Sequence, residues 1–345
     1  GGLDTNSHVS YAVYQFFKNG GQDAYVVRVM GTVNEMTPDA KAIIGDDDRQ
    51  TGIYAMRTAA VFNIMAIPQT VALSDEEAWD VIGRAIGFCE ENRAMYLVDY
   101  NPACDCDSIE AWVSQLGPQK NAAVFFPRIE IADPLNQTRL IELPTSGTIA
   151  GLFARNDAAR GVFTSPAGLS AELYGVVKLS LSLTDTQNGD LNRQGINCLR
   201  YFHKAGNVCW GARTLAGGDA PDSEWKYIPV RRLALFIEES IVQGTQWVAF
   251  EQSGEPLWAR LRMSIDDFLM RLWRRGAFQG ATREQAFFVQ CDTTTTTPAD
   301  MSKGIVTVIT GFAPVKPAEF SILDFKLQSA HQDTPGKKQR LFRER

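Results

Sequence analysis

Between Trp225 and Arg275 the chain repeats apolar residues every three or four positions in two successive runs. Leu233, Phe236, Ile237, Ser240 and Ile241 occupy one face of a helix that stops at Gly244. Trp258, Leu261, Ile265, Phe268 and Leu272 repeat the pattern. Pro256 suits the first turn of that second helix, and Arg271, Arg274 and Arg275 crowd its last turn before Gly276, where cations complement the helix dipole. Between the two runs, Trp247-Val248-Ala249-Phe250-Glu251 has the chemistry of a short strand.

Upstream, helical and strand-like patterns alternate. Val9 to Phe17 reads as a helix stopped by Asn19-Gly20-Gly21, and Ala24 to Val29 as a buried strand. Val61 to Ile67 is a strand before Pro68, and Ser74 with Glu77 three residues later makes a capping box opening a helix through Asn92. Met95 to Asp99 is a strand, Ser108 to Leu116 a helix, Ala122 to Phe126 a strand. Repeated strand-helix-strand order predicts an α/β fold, a mostly parallel sheet core with flanking helices. After the helical pair come strands at Ala286 to Cys291, Ile305 to Ile309 and Phe320 to Leu327, the last two separated by Pro314 and Pro317. They make a C-terminal α+β module that ends in a strand with an unpaired edge. The reading divides the chain into a core over 1–196, a C-terminal module over 197–328, and a disordered basic tail over 329–345.

Composition narrows the function. With 345 residues, 45% of them hydrophobic, the chain buries a large core. A formal charge of −6 and a pI near 5.3 exclude a general nucleic-acid binder, which would carry a basic footprint. No run of eighteen apolar residues and no signal-peptide pattern occurs, so no direct membrane insertion is expected and the reading is a protein made in a cytoplasm-like compartment. The chain opens at Gly1 with Leu3 already in domain-like sequence, which reads as a missing N-terminal portion. Cys89, Cys104, Cys106, Cys198, Cys209 and Cys291 lack framework spacing and read as free thiols.

Each candidate chemistry fails on spacing. Gly45-Asp46-Asp47-Asp48 lacks the periodic carboxylates of a calcium loop and reads as a solvated turn. Ser146-Gly147 has no G-x-S-x-G around it, and His8, His203 and His331 supply no nearby partner. Cys198, His203 and Cys209 are metal-ligand types without a CxxC knuckle. The threonine run Thr293 to Thr297 lacks the glycines and lysine of a phosphate cradle. No catalytic, cofactor or metal residue is assigned. The rival reading is a soluble α/β enzyme with a small-molecule pocket at the strand ends.

Several phrases in order resemble the contractile tail sheath proteins of phages, phage-tail-like bacteriocins and extracellular injection systems. They are Phe16-Phe17-Lys18-Asn19-Gly20-Gly21 with Ala24 to Val29, Gly87 to Ala94, Pro144 to Ala167, Cys209-Trp210-Gly211-Ala212-Arg213-Thr214-Leu215, Tyr227 to Leu233, Glu238 to Ile241, Trp247 to Glu251, Leu257-Trp258 and Gly276 to Gly280. The resemblance runs from about Phe16 to Leu327 and implies a structural subunit that polymerises helically around an inner tube. It implies contraction that drives the tube through a cell envelope, ejecting a genome in the phage case. The implied partners are further copies of the chain, the tail tube protein, and baseplate and tail terminator proteins. The implied location is a virion tail or injection particle assembled in the bacterial cytoplasm. Family members carry an N-terminal arm that donates a strand to a neighbour, and this chain's start lacks it. By the family's interlocked arms, Phe320, Ile322, Leu323, Phe325 and Leu327 form an inter-subunit strand. Arg260, Arg262, Arg271, Arg274 and Arg275, a positive face in an acidic chain, are the tube-facing candidates.

Overall fold

The apolar runs Met95–Val98 and Ala122–Phe126 are buried along their whole length, which a strand achieves only when both faces are covered. The computed structural model describes residues 3–4, 7–29, 39–59, 61–219, 223–315 and 321–328. In chain order the first elements are α1 (His8–Lys18), α2 (Ala40–Ile44), β1 (Ile64–Ala66), α3 (Asp75–Glu91), β2 (Met95–Val98), α4 (Ile109–Ser114) and β3 (Ala122–Phe126). Then follow β4 (Ile129–Asp133), β5 (Asn136–Leu143), α5 (Ser146–Arg160), β6 (Val176–Leu179), α6 (Asp185–Arg193), β7 (Ile196–Phe202) and β8 (Gly206–Cys209). The last part holds α7 (Ile228–Gly244), α8 (Glu255–Arg274), β9 (Phe287–Gln290), β10 (Ile305–Phe312) and β11 (Ser321–Gln328), with short single-turn helices between.

A five-stranded sheet runs in the order β1-β2-β3-β7-β8, parallel from β1 to β7 and closed by antiparallel β8. Side chains of its strands alternate strictly between two cores, as the two-residue strand period requires. Tyr96, Val98, Ala122, Val124 and Phe126 face Ile82, Ala85, Ile86 and Phe88 of α3 and Trp112 of α4. Met95, Leu97, Ala123 and Phe125 face Tyr11 of α1 and Ile149, Leu152 and Phe153 of α5. The predicted helix–sheet alternation is therefore a three-layer arrangement. The capping box of Ser74 and Glu77 opens α3, with the Ser74 amide donating to the Glu77 carboxylate at 3.2 Å. A second sheet, β5-β4-β6, is antiparallel; sequence reading had given it no strands, because β5 is exposed along most of its length and has no apolar period.

The chain separates into two compact units, Gly1–Arg232 and Leu233–Arg345, with α7 continuous across the division. This falls later than the 196/197 boundary read from sequence. Ile196, Asn197 and Cys198 pair with Val124, Phe125 and Phe126, so β7 and β8 complete the first unit's sheet. In the second unit β9, β10 and β11 form an antiparallel sheet in the order β11-β10-β9, and α8 packs against β9.

Two expected strands are absent. Ala24–Val29 is extended but pairs with no strand among the described residues; Tyr25 is 58% and Val26 60% exposed. Strand chemistry alone does not bury a segment when no edge lies beside it. Gln246–Phe250 forms a 3-10 helix, closed by Val248 N–H donating to Thr245 and Glu251 N–H to Val248, both at 3.0 Å. Only Val248 turns inward, and Phe250 projects at 89% exposure. In α7, Leu233, Ile237 and Ile241 are buried as the period predicts, whereas Phe236 lies at the edge of the stripe against Phe268, 6.1 Å between rings. Residues 329–345 and Phe320 lie outside the described residues.

Helix α1 crosses α5 at backbone contact distance, which glycine permits. A Cβ on Gly147 would stand 2.4 Å from the Ala12 carbonyl oxygen, and one on Gly151 2.3 Å from that of Phe16. Gly83 and Gly87 of α3 face open space instead. Gly151→Ala should therefore cost about 1–3 kcal/mol through overpacking, while Gly87→Ala should stabilise by about 0.5–1 kcal/mol through reduced chain entropy. Urea unfolding of both variants checks this; a stabilising Gly151→Ala would refute the close crossing.

Candidate assembly surfaces

Three of the phrases that carry the family resemblance hold buried polar locks in the first unit. In Trp210-Gly211-Ala212-Arg213-Thr214-Leu215 the chain leaves β8 and doubles back along β7. Asn197, fully buried on β7, donates to the carbonyls of Val124 at 3.0 Å and Arg213 at 2.7 Å and accepts from the Arg213 amide at 2.6 Å. Gly211 passes so close that a Cβ there would meet the Asn197 Cα at 2.8 Å. The Arg213 guanidinium donates to the carbonyls of Asn192 at 2.8 Å and Gly217 at 3.1 Å and pairs with Asp219 at 2.9 Å, which also holds Lys226 at 2.7 Å. Those two cations keep the Asp219 carboxyl below the usual carboxylate range through hydrogen bonds. Thr214 donates its hydroxyl to the Trp225 carbonyl at 2.8 Å.

Arg231 and Arg232 in the Tyr227–Leu233 phrase, exposed types by composition, are both buried. Arg231 donates to Asn121 at 2.7 Å and lies 4.7 Å over the Trp225 ring; Arg232 grips Asp157 of α5 with two bonds of 2.9 and 2.6 Å. Asn19 of the Asn-Gly-Gly phrase is likewise buried. It caps α1 by donating to the Gln15 carbonyl at 3.0 Å and exchanges bonds with the Tyr174 backbone at 3.0 and 2.8 Å. Sequence reasoning assigned none of these residues a role. The signal available was polar residues inside otherwise apolar phrases, which marks buried groups that must be satisfied.

Among the predicted tube-facing arginines the structure separates two from three. Arg260 pairs with Glu251 at 2.8 Å and lies 4.8 Å over the Trp247 ring, and Arg262 donates to Glu255 and to the Cys291 carbonyl. Arg271, Arg274 and Arg275 are exposed at the C-terminal end of α8 and form no ion pair among the described residues. Asp266, which could have held them, pairs with Arg283. The predicted inter-subunit strand is β11. Its backbone runs antiparallel to β10 of the same chain, with Ile322, Leu323, Phe325 and Leu327 in register with Gly311, Thr310, Val308 and Val306. It is the terminal strand of its sheet, and its outer edge pairs with nothing among the described residues.

The residues weighed for chemistry lie as follows. Ser146, the one serine beside a glycine turn that invites a nucleophile reading, is buried at the start of α5 and donates its hydroxyl to Asp99. Its amide also donates to Asp99, at 3.1 Å. No group of three or more His, Cys, Asp or Glu side chains fit to hold a metal occurs among the described residues, and their cysteines are unbridged. Asp47 of the acidic turn pairs with Arg57. An open hollow of about 310 Å³ lies between α2 and α3, lined by Asp39, Lys41, Ile44, Glu77 and Asp80, away from the C-terminal ends of the parallel strands.

Burial pushes the Asp99 carboxyl up to about 6, against the hydrogen bonds of Ser146 and the charge of Arg128, which pull it down. The folded state thus keeps this proton through a range where the unfolded chain, near 3.8, has lost it. The sign follows: the contribution is fully present below about pH 4 and is lost as pH rises through 6. Asp99→Asn, which cannot ionise, should lose roughly 2–3 kcal/mol less stability than the unsubstituted chain between pH 4 and 7. Urea midpoints at both pH values measure it; parallel losses would assign the titration to another group.

The comparisons with known proteins agree with the phrases and extend them. Residues 220–328 match the phage tail sheath C-terminal domain family. A putative prophage major tail sheath protein of Pseudomonas aeruginosa (strain UCBPP-PA14) is 24% identical over 305 residues, 85% of this chain and 75% of that protein. A chain in the baseplate of the anti-feeding prophage is 28% identical with a TM-score of 0.73, over 96% of this chain and 82% of that one. A chain of the anti-feeding prophage helical sheath in its contracted state is 28% identical with a TM-score of 0.70, over 93% and 82%. The mixed α/β fold with its parallel-rich sheet is the fold of those sheath structures, and the relatives are structural proteins rather than enzymes. Residues 220–328 thus match the phage tail sheath C-terminal domain, and the chain along nearly its whole length is similar to contractile tail sheath proteins.

Proposed function

We propose that this sheath subunit polymerises helically around an inner tube and contracts to drive that tube through a target cell envelope. The observation that carries the reading is the likeness to a helical contractile sheath along 93% of the chain. Likeness to a baseplate chain supports attachment of the polymer to a baseplate. A tail terminator would cap its other end, and the particle, of phage or injection-system kind, would assemble in the bacterial cytoplasm. The functional modules we assign are the α/β core, the C-terminal sheath module and a basic tail.

Two surfaces suit this role. The outer edge of β11 pairs with no strand among the described residues, and a strand from an adjacent subunit would complete it. The exposed end of α8, with Arg271, Arg274 and Arg275, would meet an acidic patch on the tube. An open polymer needs both: backbone pairing gives affinity between copies, and charge gives register on the tube without a deep interface.

Electron micrographs of the purified full-length protein with its tube should show cylinders; particles that never exceed discrete oligomers would refute the sheath assembly. Reversing charge at Arg271→Glu and Arg275→Glu should weaken assembly on the tube at least tenfold and flatten its salt dependence. Unchanged assembly and salt response would reduce those arginines to helix capping. Deleting residues 318–345 should leave the first unit folded and stop polymerisation, and cylinders formed by that deletion would remove β11 from the interface.

A further inference from the structure

The basic end of the chain has no task in the assembly described so far. Lys337, Lys338, Arg340, Arg343 and Arg345 stand against one carboxylate, Glu344, in a chain whose net charge is −6. They lie outside the described residues and enter by their sequence alone. A block of like charge with no apolar period has little to bury and serves as an attachment segment. Its partner must be a surface whose negative charge the fold leaves unmatched.

Many surface carboxylates are matched inside their own unit, as Glu130 is by Lys178 at 2.9 Å, Asp185 by Arg200 at 2.8 Å and Glu251 by Arg260 at 2.8 Å. The start of α3 differs. Glu76 and Glu77 are exposed and form no ion pair among the described residues, and Asp80 meets Arg84 only at 3.7 Å with both side chains exposed. Glu77 and Asp80 share the hollow of about 310 Å³ with Asp39, the cap of α2, so three carboxylates there face one ammonium, Lys41. Helix starts explain each acid singly, since Asp39 accepts from the Ala42 amide at 2.7 Å and Glu77 closes the capping box of α3. Those partners are neutral, and the summed negative charge stays uncompensated at an open hollow.

The two dense cationic groups of the chain are not equivalent as occupants. Arg271, Arg274 and Arg275 sit on a helix end about 10–12 Å across with its side chains, whereas a cube of the hollow's volume is about 7 Å on edge. A lysine is a compact ammonium on a flexible stem, and it fits. The tail is also within reach of the next copy. β11 ends at Gln328, on the edge proposed to meet that copy, and Lys337 follows after about 30 Å of extended chain.

We propose that the basic tail of one copy, through Lys337 and Lys338, docks on the acidic hollow between α2 and α3 of a neighbouring copy. The contact rests on the sheath reading and on β11 lying at the seam between copies. Coulomb attraction falls only as the inverse of distance, so such a strap tolerates shifts of a few ångströms that would break a hydrogen-bonded strand edge.

The test applies carbodiimide, which joins a carboxylate directly to a lysine amine, to full-length protein mixed from light and heavy isotope-labelled copies and assembled with the tube. Lys337 or Lys338 of one label should be joined to Asp39, Glu77 or Asp80 of the other. Charge exchange gives a second readout. Lys337→Glu with Lys338→Glu, or Glu76→Lys with Asp80→Lys, should raise the concentration needed for assembly roughly fivefold at about 0.05 M salt and much less at about 1 M, where screening acts within about 3 Å. Neither pair should move the urea midpoint of the unassembled chain, and all four changes together should restore assembly. Links within one copy, links of the tail to the tube or to another segment, or a fourfold variant no better than the pairs overturn the contact. Absence of any polymer from the unsubstituted protein overturns the sheath reading together with the contact, whereas polymer without tail links overturns the contact alone.

Discussion

Burial of β2 and β3 on both faces is the constraint on which the first unit depends. Met95, Leu97, Ala123 and Phe125 point to one side, Tyr96, Val98, Ala122 and Val124 to the other, and all are 1% exposed or less. A sheet so apolar on both sides cannot stand with one face in water, and the crossovers between parallel strands must carry helices to both faces. α3 and α4 cover one core and α1 and α5 the other. The glycines of α5 let α1 approach to backbone contact.

Around that apolar centre lies a set of buried polar groups that fix one arrangement. Asn121 supplies its backbone carbonyl to Tyr96 at 2.7 Å, its amide to the Ala94 carbonyl at 2.8 Å, and its side-chain oxygen to Arg231. Asn197 ties β7 to β3 and to the turn after β8. Each group would cost more if left unpaired than it contributes when bonded, so alternative packings that break one bond are penalised. This gives the sheath-like phrases of the first unit a physical content. They are interior fasteners of the first unit.

The surface reads differently. Large apolar side chains left exposed are scattered over many elements, from Phe17 and Tyr25 through Leu169 and Val177 to Phe250 and Met263, whereas the cations Arg271, Arg274 and Arg275 gather at the end of α8. In a helical polymer, of the kind seen in a structural relative, contacts between copies are heterologous, because a single self-complementary patch would close a dimer.

Apolar residues at three-to-four spacing marked the helices α1, α3, α7 and α8, and short apolar runs marked the strands β2, β3, β9, β10 and β11. Ordered phrases carried the resemblance to sheath proteins. Tertiary structure decided the rest. Ala24–Val29 has strand chemistry but no neighbouring edge, and Trp247–Glu251 closes local i to i+3 bonds because only Val248 has a core to enter. The β5-β4-β6 sheet was invisible because its outer strand alternates nothing apolar. Arg231 and Arg232 look like surface cations until Asn121 and Asp157, more than seventy residues away, arrive to receive them. Arg260 and Arg262 match Arg271 in charge and helix, yet acidic partners near in space hold only the first two. A one-dimensional pattern records how often a residue faces a core, whereas partners distant in sequence are chosen by the fold.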